Sequence, residues 1–136
     1  MESSAKLKSL LRKEQTLYLP GIYDGLSAKI AENAGASALY VTGGGIARST
    51  GVPDMGLLSL DEITKRLEQI VDAVSIPAVA DMDTGYGNAL NVRRAVISFE
   101  RAGVAGFHIE DQVFPKKCGH YEDKSIVPKK EFYAQI

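Results

Sequence analysis

The sequence predicts an α/β fold with parallel strands, and three observations carry that expectation. Short apolar runs recur along the chain, each followed by a stretch with helical apolar spacing. Four such units stand in series, the last one barely begun, and strands alternating with helices at this spacing imply a parallel sheet with right-handed crossovers. The residues with unusual chemistry fall directly after the apolar runs, which is where α/β folds collect their function. A doubly wound sheet and a (β/α)8 barrel begin identically, so the rhythm alone leaves both open.

Residues 4–13 carry Leu7, Leu10 and Leu11 at i, i+3 and i+4, the pattern of a short amphipathic helix. Residues 18–21 read as a short extended run. Asp24 is a possible N-cap behind it, for a helix with Leu26, Ile30 and Ala34 on one face and Gly35 as its stop. The apolar run 38–42 is a buried strand that enters a loop at Gly43, Gly44 and Gly45. Ser59 and Glu62 form a capping box, ahead of Leu60, Ile63, Leu67, Ile70, Val71 and Val74 at helical spacing. Residues 77–80 are a third strand and 81–88 a loop. A helix over 89–102 then places Val92, Val96 and Phe99 on one face, with Gly103 as its stop. Residues 106–109 are a fourth strand, followed by a long loop to Val127. Pro128 at the first helical position opens a further helix with Phe132 and Ile136 at i, i+4.

Composition narrows the function classes. Sixteen Lys and Arg against 17 Asp and Glu leave a net charge of −1, which argues against nucleic-acid or membrane-surface partners. No apolar run approaches the roughly 18 residues of a membrane span. The polar N-terminus shows no secretory h-region, and one cysteine allows no internal disulfide, so a reducing, cytoplasmic setting is expected. At 136 residues the chain has the length of one ordinary domain, yet a complete (β/α)8 barrel needs about 200 or more.

Three groups of residues invite a chemical reading. Gly43, Gly44 and Gly45 match neither a P-loop nor a dinucleotide fingerprint; they are either a flexible loop or a close backbone approach to an anionic ligand. Asp81 and Asp83 leave their strand at i, i+2 and point the same way. They either cap the next helix, although Asn88 lies nearer its start, or act as hard oxygen ligands for Mg2+. Glu110, at the same end of the next strand, would join them, and three carboxylates so placed repel without a cation. Asp111 reads as a loop or capping residue. Cys118, between Lys116, Lys117, Gly119 and His120, is either a coincidental surface cysteine or a thiol that neighbouring cations ready for proton transfer or attack. His120 is a substrate ligand or a loop residue, His108 reads as strand packing, and Arg93 and Arg94 as solvated charge.

Asp81-x-Asp83-x-Gly85-x-Gly87, His108-Ile-Glu110-Asp111 and Lys116-Lys-Cys118-Gly-His120, in this order, resemble the isocitrate lyase and phosphoenolpyruvate mutase superfamily. Tyr40-Val-Thr42-Gly-Gly44 and Val52-Pro-Asp54-Met-Gly56 extend the likeness towards the N-terminus. The resemblance implies a (β/α)8 barrel, usually oligomeric and often tetrameric, that binds Mg2+ and a small oxo- or hydroxy-carboxylate. It implies Asp81 as a direct metal ligand, with Asp83 and Glu110 reaching the metal directly or through water. Tyr40, Thr42, Gly43 and Gly44 match the segment that holds the oxo-acid, with Thr42 where serine is common. Asp54, Lys116, Gly119 and His120 complete the substrate contacts, and residues 116–120 match the mobile gating loop. The cysteine-bearing loop is most similar to that of the carbon–carbon lyases acting on methylisocitrate or 2,3-dimethylmalate, with Cys118 as general acid and Tyr40 as candidate base. An oxaloacetate hydrolase or phosphonomutase of the same superfamily is the alternative activity. Only the first half of the barrel is matched, so residues 1–136 are expected to be a partial barrel domain with the C-terminal half absent. A catalytically incomplete fragment that associates with a partner is the rival reading.

Overall fold

The computed structural model describes residues 2–136. Helix α1 (Glu2–Leu11) precedes four strand–helix units: β1 (Gly21–Ile22) and α2 (Gly25–Asn33); β2 (Leu39–Val41) with α3 (Gly43–Ser49) and α4 (Leu60–Ala73); β3 (Ala78–Asp81) and α5 (Ala89–Arg101); β4 (Gly106–His108) and α6 (Lys129–Gln135). The strands form one sheet in the order β1-β2-β3-β4, every neighbouring pair parallel. The α/β expectation with about four parallel units therefore holds, and the open sheet is half the strand count of a (β/α)8 closure.

Side-chain alternation divides the sheet into two faces. Leu39, Val41, Ala78 and Ala80 pack under the helices with Ile63, Leu67 and Ile70 of α4 and Val92, Ala95 and Phe99 of α5. The opposite face carries Tyr40, Val79, Asp81 and His108, because Tyr40 pairs with Val79 and Asp81 with His108 in the strand register. Leu7 of α1 covers one end of the sheet with Ala38 and Ala105. The helix starts follow their local chemistry. Ser59 and Glu62 close a reciprocal capping box, and the Asn88 side chain accepts from Leu90 N at 2.9 Å, so Asn88 rather than Asp81 or Asp83 caps α5.

Several expectations are corrected. The glycine run is no loop: it opens α3, with Thr42 as N-cap. The first extended run reaches strand pairing only at Gly21 and Ile22. Pro128 caps α6 instead of occupying its first turn. Leu26 and Ile30 are 71% and 61% exposed, because α2 packs on the sheet and α4 through the small residues Ala28 and Ala31 instead. Arg93 and Arg94 are solvated as expected.

Candidate functional site

The site begins at the C-terminal end of β3. Asp81 accepts a backbone hydrogen bond from Gly43 at 3.3 Å through Oδ2 and one from Asp83 at 3.2 Å through Oδ1. His108 Nε2 lies 3.5 Å from Asp81 Oδ1 and 2.9 Å from the Tyr40 hydroxyl, and the Tyr40 and His108 rings stack at 5.3 Å. His108 is thus not a packing residue; its side chain is 50% exposed and sits beside the acidic strand end. Burial, followed by the charges of Asp81, Glu110 and Asp83, pushes the Tyr40 phenol well above its usual range, with Lys116 opposing weakly. With these carboxylates uncompensated, Tyr40 is a proton donor.

The three glycines are explained by what surrounds them. A Cβ on Gly43 would stand 3.0 Å from Asp81 Oδ2, and one on Gly44 2.8 Å from Asp54 Oδ2. A Cβ on Gly45 would meet Thr42 Cγ2 at 2.7 Å and Tyr23 Cβ at 3.0 Å. The close approach is real, but its partners are the site's own carboxylates and the cap. Thr42 Oγ1 accepts from Gly45 N at 3.2 Å, so its hydroxyl is occupied in holding the helix start against β3.

The loop after β4 closes over this platform through Lys116. Its ammonium hydrogen-bonds Asp54 and lies 2.6 Å from Asp83 Oδ1, and Lys116 is only 2% exposed. Burial alone would lower Lys116, but Asp54 and Asp83 outweigh it and hold the ammonium above its ordinary range. Burial raises Asp83 to about 6 against the opposing Lys116, with Asp81 and Asp54 adding to the rise. Gln112 forms a second clasp: its side-chain amide donates to Glu110 Oε2 at 2.6 Å and to Lys117 O at 3.0 Å, and accepts from Lys117 N at 3.0 Å.

Cys118 is buried, 8% exposed, despite its polar sequence neighbours. Its sulfur lies 3.4 Å from His120 Nδ1, and Arg48 Nη2 donates towards it at 3.7 Å. The cation beside the thiol is therefore Arg48 on α3, while Lys116 turns away to the carboxylates. Arg48 and Gln112 went unnoticed in the sequence; Arg48 stands one helical turn after Gly44, on the same side of α3. Gly119 has open space around it, and His120 is exposed apart from its contact with the sulfur.

The expected Mg2+ ligands are only partly brought together. Asp81 and Asp83 share one strand end, but among the described residues no group of three or more His, Cys, Asp or Glu is gathered closely enough to hold a metal. The Glu110 carboxylate is engaged by Gln112, and Lys116 supplies the positive charge beside Asp83. The donor chemistry nevertheless fits a hard divalent cation. Asp83 Oδ1 is buried without a hydrogen-bond partner, its contact with Lys116 being one of charge outside hydrogen-bond geometry.

Comparison with known proteins adds the context. The family model described as phosphoenolpyruvate phosphomutase matches residues 7–136. The 2,3-dimethylmalate lyase of Eubacterium barkeri is 44% identical over 137 residues, covering 100% of this chain and 47% of that protein. A solved phosphoenolpyruvate phosphomutase from Streptomyces platensis subsp. rosaceus superposes with a TM-score of 0.94 at 35% identity, over 98% of this chain and 47% of that one. A solved phosphonopyruvate hydrolase in complex with oxalate and Mg2+ superposes with a TM-score of 0.88 at 32% identity, over 99% of this chain and 46% of the other. The chain spans about half the length of the relatives it matches.

Proposed function

Because this chain belongs to the phosphoenolpyruvate phosphomutase family, we propose that it is the N-terminal half of a Mg2+-dependent carbon–carbon lyase. Its substrate is a 2-hydroxy di- or tricarboxylate of the dimethylmalate or methylisocitrate kind, cleaved in a retro-aldol (Claisen-type) reaction. The observation that supports this most is the position of Cys118, a buried thiol that the Lys116 clasp carries to the strand end holding Asp81 and Asp83.

Asp81 would hold Mg2+, with Asp83 and Glu110 reaching it directly or through water. Bound there, the cation would supply positive charge against the anion that develops on the substrate. Tyr40, together with Thr42, Gly43 and Gly44, lines the strand end where the hydroxy-acid is expected. Once the neighbouring carboxylate charge is balanced, Tyr40 accepts the substrate hydroxyl proton, and His108 at 2.9 Å is placed to relay it. Breaking the C–C bond leaves a carboxylate-stabilised carbanion, which takes the proton of the Cys118 thiol. The Arg48 guanidinium, 3.7 Å from the sulfur, balances the thiolate left behind. Lys116, Gly119 and His120 belong to the loop that excludes water over the intermediate.

A chimera tests this reading: residues 1–136 replace the matching half of the Eubacterium barkeri lyase. The expected result is release of a 2-oxo acid from 2,3-dimethylmalate or 2-methylisocitrate with Mg2+ and none in EDTA. Hydrolysis of oxaloacetate without cleavage of either hydroxy-acid would overturn the lyase assignment in favour of the hydrolase.

A further inference from the structure

Two faces of the molecule lack a partner, and they lie at opposite ends of the same sheet. At one end β1 pairs only with β2, and the helix beside it, α2, exposes Leu26 and Ile30 at 71% and 61%. At the other end β4 pairs only with β3, and α6 exposes Tyr133 and Ile136 at 62% and 82%. Large apolar side chains grouped on element faces, beside unpaired strand edges, mark surfaces that other structure covers.

The geometry of the sheet says what fits. All four strands run in the same direction, and a sheet of this kind loses its edges by closing into a barrel of eight. Rotating a second copy by half a turn about the barrel axis keeps every strand direction. That rotation sets β4 of one copy against β1 of the other at both seams. It also lays α6 of each copy beside α2 of its partner, so Tyr133 and Ile136 meet Leu26 and Ile30 twice over. Each edge is thus complementary to the other edge and not to itself. Two copies supply the eight strands that one lacks, in keeping with a chain that covers 47% of the superposed phosphoenolpyruvate phosphomutase.

We propose that the 136-residue chain closes with a second copy of itself into a two-fold symmetric eight-stranded barrel, through β1–β4 and α2–α6 seams. This follows from the sheet and its open ends and does not depend on the lyase reading. The dimer is isologous as a whole, while each seam joins two different surfaces.

The test exploits that difference. Light scattering on the purified chain is expected to give a single species at twice 14.7 kDa. Ile30→Glu on α2 and Tyr133→Lys on α6 each place a charge on one side of a seam, and both positions are exposed, so the circular dichroism spectrum of each variant should be unchanged. Each variant alone is expected to be a monomer. Mixing them should restore the dimer, because one seam then pairs the introduced carboxylate with the introduced ammonium and the other is wild type. A wild-type monomer would overturn the proposal and leave these edges to a different covering segment. An open-ended ladder of oligomers would also overturn it. So would monomers that persist on mixing, which would mean that the seams do not join α2 to α6.

Discussion

The candidate site has two halves that are held in place by different means. Asp81, Tyr40 and His108 stand on paired strands, and their separations follow from sheet register. Cys118 and His120 stand on a loop of more than fifteen residues without regular structure, joined to that platform by Lys116, Gln112 and the reach of Arg48. A strand residue cannot be moved without slipping the register of a buried sheet. The loop is released by breaking a few polar contacts, as expected for a segment that must open for substrate and close for proton transfer. The strand-borne half is suited to binding, and the loop-borne half to delivering an acid.

The sharpest way to separate the halves is to cut the clasp. Lys116→Met should cost about 3–5 kcal/mol, because Asp54 and Asp83 would be left without their cation. Chemical denaturation measures the loss, and protease cleavage should move to the loop while the strands stay protected. A smaller effect should appear with pH in EDTA. Asp83 is raised to about 6 from 3.8, so between those values the folded state binds more protons than the unfolded one. The stability contributed by protonated Asp83 is therefore complete below 3.8 and lost as pH rises through 6, amounting to about 2–3 kcal/mol. Asp83→Asn should flatten that profile.

Within the strand-borne half, Gly45→Ala should destabilise by about 1–3 kcal/mol, since its methyl meets Thr42 and the Tyr23 Cβ. Gly43→Ala should cost less, because it meets the end of the Asp81 side chain and gains up to about 1 kcal/mol of helix propensity. Thermal melts of the two variants rank them. The smallest change is expected from Gln112→Ala, about 1 kcal/mol, read as faster hydrogen exchange in the loop with the sheet unaffected.

Local patterns in the sequence were sufficient for whatever is locally determined. The Ser59–Glu62 box, the Asn88 cap and the helix stops at Gly35 and Gly103 are written within a few residues, and apolar runs mark the strands. Gly43 to Gly45 concealed a helix because glycine is a poor helix former; only the crowding of Asp81, Asp54 and Thr42 explains its use there. Leu26 and Ile30 have the spacing of a buried face, but spacing cannot say whether anything covers that face. His108 reads as packing until register sets it beside Asp81, and Lys116 reads as a partner for Cys118 until a contact 62 positions away claims it. The motifs named the right neighbourhood, while the pairings within it are non-local.

The division of labour is tested most directly in the chimera by comparing Cys118→Ser with Asp81→Asn for both Mg2+ affinity and turnover. Cys118→Ser should keep its Mg2+ affinity and lose about 100-fold or more in turnover, as expected for a missing general acid. Asp81→Asn should lose the Mg2+ affinity itself. Undiminished turnover in Cys118→Ser, or an equal loss of Mg2+ binding in both variants, would contradict the assignment.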